Sequence, residues 1–263
     1  DPLATGENTT CVVKEGLVYC WGLNNYGQAG NGTTVDVLSP SAQPVKKTDG
    51  TNLTNVVSVD TSYNHSCALT NQGAMYCWGI NNYNQLGDGT TVNKSVATAV
   101  SASATGSISF SSGVVAISIG DNQTCAVKAG GSLYCWGYNN YGQLGDGSTA
   151  NRTLPVAVVG LTDVVKHATG TYHTCAVRRD GTVWCWGYNG NGETGDGFRM
   201  GVDEKGVQLP YLDRVTFTVV AANLIPAKAG SSFLVGRAQP REHRQILERG
   251  RVAGRLAAGG DVA

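Results

Sequence analysis

The sequence predicts an all-β chain of the β-propeller class, with four blades in its 263 residues. Three observations carry that prediction: one module recurs four times, its hairpins close in a register that pairs every cysteine, and both faces of each hairpin are apolar. The module reads Cys, eight or nine residues, Cys-Trp-Gly, an Asn-rich loop, then Gly-x-Gly. Its second copy runs from Cys67 to Cys77-Trp78-Gly79 and into INNYNQLGDGT. The tryptophan after the second cysteine stands at Trp21, Trp78, Trp136 and Trp186, a spacing of 57, 58 and 50 residues. A period of that length marks a stack of small supersecondary units that bury their faces on one another.

The hairpin comes first in each module. Laying Cys67 opposite Cys77 places Ala68 opposite Tyr76 and Leu69 opposite Met75, and leaves the loop Asn71-Gln72-Gly73. The third copy leaves Ala129-Gly130-Gly131 and the fourth Arg179-Asp180-Gly181; the first is one residue shorter and leaves Glu15-Gly16. Each loop ends in Gly, where a tight hairpin needs the left-handed backbone region. The same register pairs Cys11/Cys20, Cys67/Cys77, Cys125/Cys135 and Cys175/Cys185, and directly opposed residues lie within disulfide reach. Four disulfides are therefore expected, each contributing roughly 2.5 to 3 kcal/mol by loop closure. Buried reduced thiols are the alternative. Zinc would call for a short Cys-x2-Cys knuckle, and the sequence has none. An even set of bridges points to the periplasm, the cell surface or the medium.

The remaining strands flank the hairpin. A β-branched run precedes it, as in Asn55–Val59 and Gly113–Ile117, and a Val-rich stretch follows, as in Thr153–Val159. That gives about four short strands per module, the content of one propeller blade. Cys67, Leu69, Met75 and Cys77 face one way; Ala68, Tyr76 and Trp78 face the other. Apolar residues on both faces suit a sheet held between two others. The expected blades span 1–57, 58–114, 115–164 and 165–218. A fifth opens near Val219 but lacks Cys, Trp and the Gly-rich loop. The last 27 residues hold six Arg against three acids and read as a poorly structured tail.

These residues resemble the regulator-of-chromosome-condensation repeat. The run from Gly170 to Gly192 followed by Gly195-Asp196-Gly197, and Gly-Gln-Leu-Gly-Asp-Gly at 142–147, are the segments that carry the likeness. The paired cysteines are similar to those of secreted bacterial members. The resemblance implies blades of a seven-blade ring, so four blades would form an open arc or a fragment of such a ring. It also implies a protein-binding role, with a guanine-nucleotide exchange regulator among the family's functions.

Composition narrows the classes. Net charge is zero and charged residues are 14% of the chain, which gives no basic footprint for nucleic acid. No run approaches the roughly 18 to 20 apolar residues of a membrane span. The chain opens Asp1-Pro2-Leu3 without Met, as a processed or excised piece would. His65 and His173 each lie two residues before a cysteine, without carboxylates at useful spacing, and read as polar strand ends. Asp88, Asp146 and Asp196, with Asn31 in the first copy, read as turn residues; one carboxylate per loop is too few for calcium. The four tryptophans read as blade core. No catalytic constellation, metal site or cofactor motif is visible, so the chain is expected not to be an enzyme.

The best surface candidates are the loops after Trp-Gly: Asn24, Asn25 and Tyr26; Asn81, Asn82 and Tyr83; Asn139, Asn140 and Tyr141; Asn189 and Asn191. Asn and Tyr suit hydrogen bonding and ring stacking. The variable segments 34–49 and 92–112 are further places where specificity would sit. The expected function is an extracellular or cell-surface scaffold for an unknown protein partner. A carbohydrate-binding module using the Asn/Tyr loops is the alternative, and the open blade faces offer a route to self-association.

Overall fold

A computed structural model describes residues 2–38 and 42–194. The described residues form fourteen strands in four antiparallel sheets, one per module. The first sheet holds β1 (Leu3–Thr5), β2 (Thr9–Lys14) and β3 (Leu17–Gly22). Single bridges from Val37 to Gly22 and from Pro44 to Tyr19 stand where its fourth strand would run. The second holds β4 (Val56–Thr61), β5 (His65–Thr70), β6 (Met75–Gly79) and β7 (Lys94–Ala99), paired in that order. The third repeats it with β8 (Val114–Ile119), β9 (Gln123–Lys128), β10 (Leu133–Gly137) and β11 (Arg152–Ala157). The fourth holds β12 (Val164–Thr169), β13 (His173–Arg178) and β14 (Val183–Gly187). Its sheets start at Val56, Val114 and Val164, one or two residues before the expected boundaries at 58, 115 and 165. The expected fifth blade start, the tail from 219 to 263 and Asp196 lie outside the described residues.

The hairpin register is the one that the cysteines and glycines dictate. Cys11 pairs with Cys20, Cys67 with Cys77, Cys125 with Cys135 and Cys175 with Cys185 across the central strands. All four pairs are disulfide-bonded, and among the described residues no cysteine is free. Gly16, Gly73, Gly131 and Gly181 close the hairpins with φ between 75° and 83°, in the region a side chain disfavours.

Each sheet packs on the next through unlike faces. The Cys11–Cys20 face of the first meets Ala68 and Trp78 of the second. Cys67, Leu69, Met75 and Cys77 then meet Ala126 and Trp136, and Cys125, Val127, Leu133 and Cys135 meet Ala176 and Trp186. A disulfide face thus covers an alanine–tryptophan face three times over, and both components are fully or almost fully buried at every joint. Full burial of such a side chain contributes about 1.5 to 3 kcal/mol.

The Gly-Gln-Leu-Gly-Asp-Gly segment is the polar half of this joint. The backbone carbonyls of Gln28, Gln85 and Gln143 accept the indole N–H of Trp78, Trp136 and Trp186 at 2.8, 3.0 and 2.8 Å. The hydroxyls of Thr124 and Thr174 donate to Gln85 and Gln143 as well, at 2.7 and 2.9 Å. The indole edges lie so close to the following glycine that a Cβ on Gly87 or Gly145 would fall 2.5 or 2.7 Å from the ring nitrogen. Side chains of the first strands add a second link. Asp60 accepts the N–H of Ile119 at 2.9 Å, and Ser118 Oγ accepts that of Thr169 at 3.1 Å. Asp88 and Asp146 behave as turn residues, each accepting the N–H two residues on, and Asn31 does the same in the first module.

Trp21 departs from the expected core role. It is only partly buried, packed against the first core cluster, and among the described residues its indole N–H meets no acceptor. Phe110, in the variable segment 92–112, is buried against Tyr134 and Trp136, with ring centroids at 5.5 and 5.7 Å. Part of that segment is therefore strand β7 and part is core.

Candidate interaction surface

The loops after Trp-Gly divide into an inner and an outer half. Asn24, Asn81 and Asn139 are fully buried, so they cannot touch a partner, and their expected place in a binding surface is corrected. Asn139 shows why. Its Oδ1 accepts the N–H of Leu144 at 2.9 Å, while Nδ2 donates to Asp146 Oδ1, Ser148 O and Ala150 O at 3.0 to 3.1 Å. Asn24 and Asn81 repeat this pattern. These carboxamides hold the loop shut. Asn189 accepts the N–H of Thr194 at the corresponding place.

The outer half faces solvent. Asn25, Asn82 and Asn140 are exposed at the loop tips. Tyr26, Tyr83 and Tyr141 are fixed by their backbone N–H groups, which donate to Gln28, Gln85 and Gln143 Oε1 at 2.9 to 3.0 Å. In the fourth module Asn191 takes the tyrosine's place, and its N–H and Nδ2 both donate to the Glu193 carboxylate at 2.8 Å. These hydrogen bonds hold the Glu193 carboxyl below the usual range.

Five tyrosines from three modules meet on this side. Tyr83 lies 5.1 Å from Tyr138, and Tyr138 lies 6.3 Å from Tyr141 and 6.0 Å from Tyr172. Tyr141 is 5.1 Å from Tyr172 and 5.0 Å from Tyr188, and Tyr172 closes the group at 6.4 Å from Tyr188. The rings are tilted or edge-on, the arrangement that favours aromatic pairs by about 0.5 to 1.5 kcal/mol each. Tyr83, Tyr141, Tyr172 and Tyr188 nonetheless keep 41, 42, 36 and 37% of their surface exposed. Loss of solvent, then the neighbouring Tyr141, raises the Tyr138 hydroxyl above its ordinary value. The surface is thus aromatic, neutral and mounted on rigid sheet ends.

Tyr83 and Tyr141 were expected here, and Tyr138 and Tyr188 lie in the expected loops. Tyr26 is partly buried and makes no ring contact with the group. Tyr172 was missed. It comes from the β12–β13 loop, and its counterparts in the other modules are Asn8, Asn64 and Asn122, so the repeat gives no hint of it.

The histidines stand apart from this surface. Thr124 gives its only hydroxyl proton to Gln85, so His65 Nε2, 3.0 Å away, donates to Thr124 Oγ1. Burial lowers His65 to about 3 and keeps the ring neutral. His167 donates from Nε2 to the Cys125 carbonyl at 3.2 Å, and burial lowers it to about 4. Among the described residues no three His, Cys, Asp or Glu side chains gather as a metal site. No described helix is long and apolar enough to cross a membrane.

The sequence matches the "Regulator of chromosome condensation (RCC1) repeat" over residues 15–69, 72–127 and 130–177, and a second form of the repeat over 56–85, 114–143 and 164–193. The chain belongs to the RCC1 repeat family. The ultraviolet-B receptor UVR8 of Arabidopsis thaliana is 33% identical over 155 residues, 59% of this chain and 33% of that protein. The E3 ubiquitin-protein ligase HERC2 of Homo sapiens is 31% identical over 162 residues, 60% of this chain and 3% of that protein. The chain therefore spans a third or less of these relatives. Among solved structures, human WBSCR16 superposes with a TM-score of 0.61 at 25% identity, covering 73% of this chain and 48% of that one. Prp20p of Saccharomyces cerevisiae gives 0.60 at 21% identity over 83% and 50%, a likeness of fold alone. The structure of Kap60 bound to yeast RCC1 is likewise similar in fold, with a TM-score of 0.59 at 21% identity over 83% of this chain and 49% of that one.

Proposed function

We propose that this RCC1-repeat chain is an extracellular or cell-surface scaffold that binds a protein partner across the tyrosine surface. The observation that carries the reading is the contiguous group Tyr83, Tyr138, Tyr141, Tyr172 and Tyr188 from three successive sheets, all but the half-buried Tyr138 exposed. Tyrosine supplies large contact area at low cost in side-chain entropy, and it is enriched where protein interfaces concentrate their binding energy. All eight cysteines are engaged in disulfides, which supports an oxidising compartment.

The test is a paired capture experiment. The oxidised chain and a Tyr141→Ala/Tyr172→Ala variant are immobilised and exposed to envelope and medium fractions of the source. One protein held in stoichiometric amount by the parent and lost from the variant supports the reading. Equal capture by both refutes the tyrosine surface. A second reading, carbohydrate binding, is favoured by the exposed carboxamides of Asn82 and Asn140 beside the rings. Glycan retained without protein would establish it instead. Retention of the partner only by cytosolic protein with eight free thiols would overturn the compartment.

A further inference from the structure

The segment between β7 and β8 reaches the edge strand β11 of the third sheet, and one change in the repeat leaves a groove beside it. At the first joint the equivalent edge is tied to the preceding module. Ala97 donates its N–H to the Lys46 carbonyl at 2.7 Å, and Lys46 donates its own to Gly30 at 2.9 Å. Ser101 is the counterpart of Lys46, donating to Gly87 at 3.0 Å. Strands β7 and β11 pair in the same register, so the counterpart of Ala97 is Pro155, which has no N–H to give. The tie is made further along instead, where Ala104 donates to the Pro155 carbonyl at 2.9 Å. Beside it lies a groove of about 410 Å³. That falls in the range of small-ligand sites, roughly 300 to 1,000 Å³.

The groove has apolar walls and polar groups that are not all spoken for. Tyr134 is partly buried, with its ring edge-on to Phe110, and its hydroxyl has no hydrogen-bond partner among the described residues. Ile108, Pro155 and Val156 extend the apolar surface. Arg152 donates from Nε to Asp146 Oδ2 and from Nη2 to Ser148 Oγ at 3.0 Å, while Nη1 meets no acceptor among the described residues. The exposed hydroxyls of Thr105 and Ser107, 2.6 Å apart, line the segment side. Asp146 lies in the same groove, so the guanidinium charge is cancelled in place and the site is neutral. Apolar walls with a few unspent donors suit a ligand that has both an apolar face and a rim of hydroxyls. We propose that this groove binds a neutral sugar of one or two rings. Tyr134 and Pro155 lie against its C–H face, and Arg152 Nη1, the Tyr134 hydroxyl and Thr105 meet its hydroxyls. The groove shares no residue with the tyrosine group, and the inference does not rest on that surface.

Saturation-transfer NMR of the oxidised 263-residue chain tests it. The probes are glucose, galactose, mannose, N-acetylglucosamine and their disaccharides, with glucuronate as the anionic comparison. At least one neutral sugar should bind saturably and more tightly than glucuronate. Arg152→Lys keeps the partner of Asp146, as Lys94 does for Asp88 at 3.2 Å, but removes the free donor, and should weaken binding roughly tenfold or more. Tyr134→Phe removes only a hydroxyl and should weaken it about threefold to tenfold. Ala157→Trp, at an exposed lining position, should fill the groove and abolish binding. Tyr141→Ala/Tyr172→Ala should bind the sugar as the parent does. Circular dichroism of each variant verifies its fold. Longer oligosaccharides of the bound sugar tell the source: retained affinity marks a chain end, lost affinity a free sugar, and both fit the groove. No neutral sugar bound, tighter binding of glucuronate, or groove variants that bind as the parent does overturns the proposal. So does loss of binding in Tyr141→Ala/Tyr172→Ala, the result for a sugar held on the tyrosine surface.

Discussion

Replacing Trp136 by Phe should cost about 3 kcal/mol, and the same change at Trp21 should cost under about 1 kcal/mol. Trp136 is fully buried between the second and third sheets, with Phe110 edge-on to its ring and its N–H on the Gln85 carbonyl. Phenylalanine removes that hydrogen bond, a loss of about 1 kcal/mol, since Thr124 still donates to the same carbonyl. The missing part of the indole leaves a void beside Gly87, where neighbouring backbone has little freedom to collapse. Lost transfer and cavity terms add about 2 kcal/mol. Among the described residues Trp21 has neither the acceptor nor the covering sheet. Urea unfolding of dilute, oxidised protein, followed by far-ultraviolet circular dichroism, measures both. Equal midpoint shifts for the two variants would refute the joint as the place where these tryptophans act.

Three further outcomes follow from the same geometry. Under limiting reductant the Cys175–Cys185 bridge should open first, as mass spectrometry after alkylation would show, because the other three are covered by a neighbouring sheet. Asn139→Ala should destabilise by about 3 kcal/mol, leaving the Leu144 N–H and two carbonyls unpaired, while Asn140→Ala stays within about 0.5 kcal/mol. Stability should fall as the pH drops from about 7 to about 5. His65 and His167, held near 3 and 4, stay neutral in the fold while the unfolded chain takes up protons below 6.5, so their contribution is complete above that value and is lost beneath it. Asp60 works the other way. Burial raises it from 3.8 to about 6, so its penalty is relieved as pH falls through that window, and two histidines outweigh one carboxylate. His65→Gln should flatten the dependence and Asp60→Asn should steepen it.

The fold was legible because each of its rules is local and repeated. Hairpin length, turn glycine and cysteine register constrain one another within about ten residues, and four copies agree. The alternation of Cys, Leu and Met with Ala, Tyr and Trp also named the two faces. The polar loops misled for a physical reason. Asn81 and Asn82 are adjacent and identical in type, yet one is sealed beneath the loop and the other is its tip. Composition cannot separate them, since an asparagine that satisfies three loop carbonyls or carboxylates and one N–H looks the same in sequence as one in water. Phe110 was hidden for the opposite reason. A Ser/Ala/Thr-rich run gives no periodic signal that one residue within it returns to the joint.

The residues that repeat in all four modules are chiefly those that join one sheet to the next. Trp-Gly, the Gln-x-Gly of the first three modules (Glu193-Thr194-Gly195 in the fourth) and the first loop asparagine make contacts that are internal and, at the three joints, buried. A surface meant for one partner cannot be drawn from that set, because the set is already spent on the neighbouring module. It has to come from positions that the joint leaves free to vary. Tyr172 is such a position: tyrosine in the fourth module, asparagine in the other three. Tyr138 is another, with Leu23 and Ile80 before it and Tyr188 after it. Both lie in the aromatic group, and Tyr172 links Tyr138, Tyr141 and Tyr188 directly. The aromatic group is completed where the repeat breaks its own rule, so the proposed binding side would lie on the second to fourth modules rather than evenly around the four. If binding is instead carried by the repeated features, Tyr172→Asn, which restores the common residue, should leave affinity for a captured partner unchanged. If the departure from the repeat is what binds, that single change should weaken it several-fold while the urea midpoint stays within about 0.5 kcal/mol of the parent.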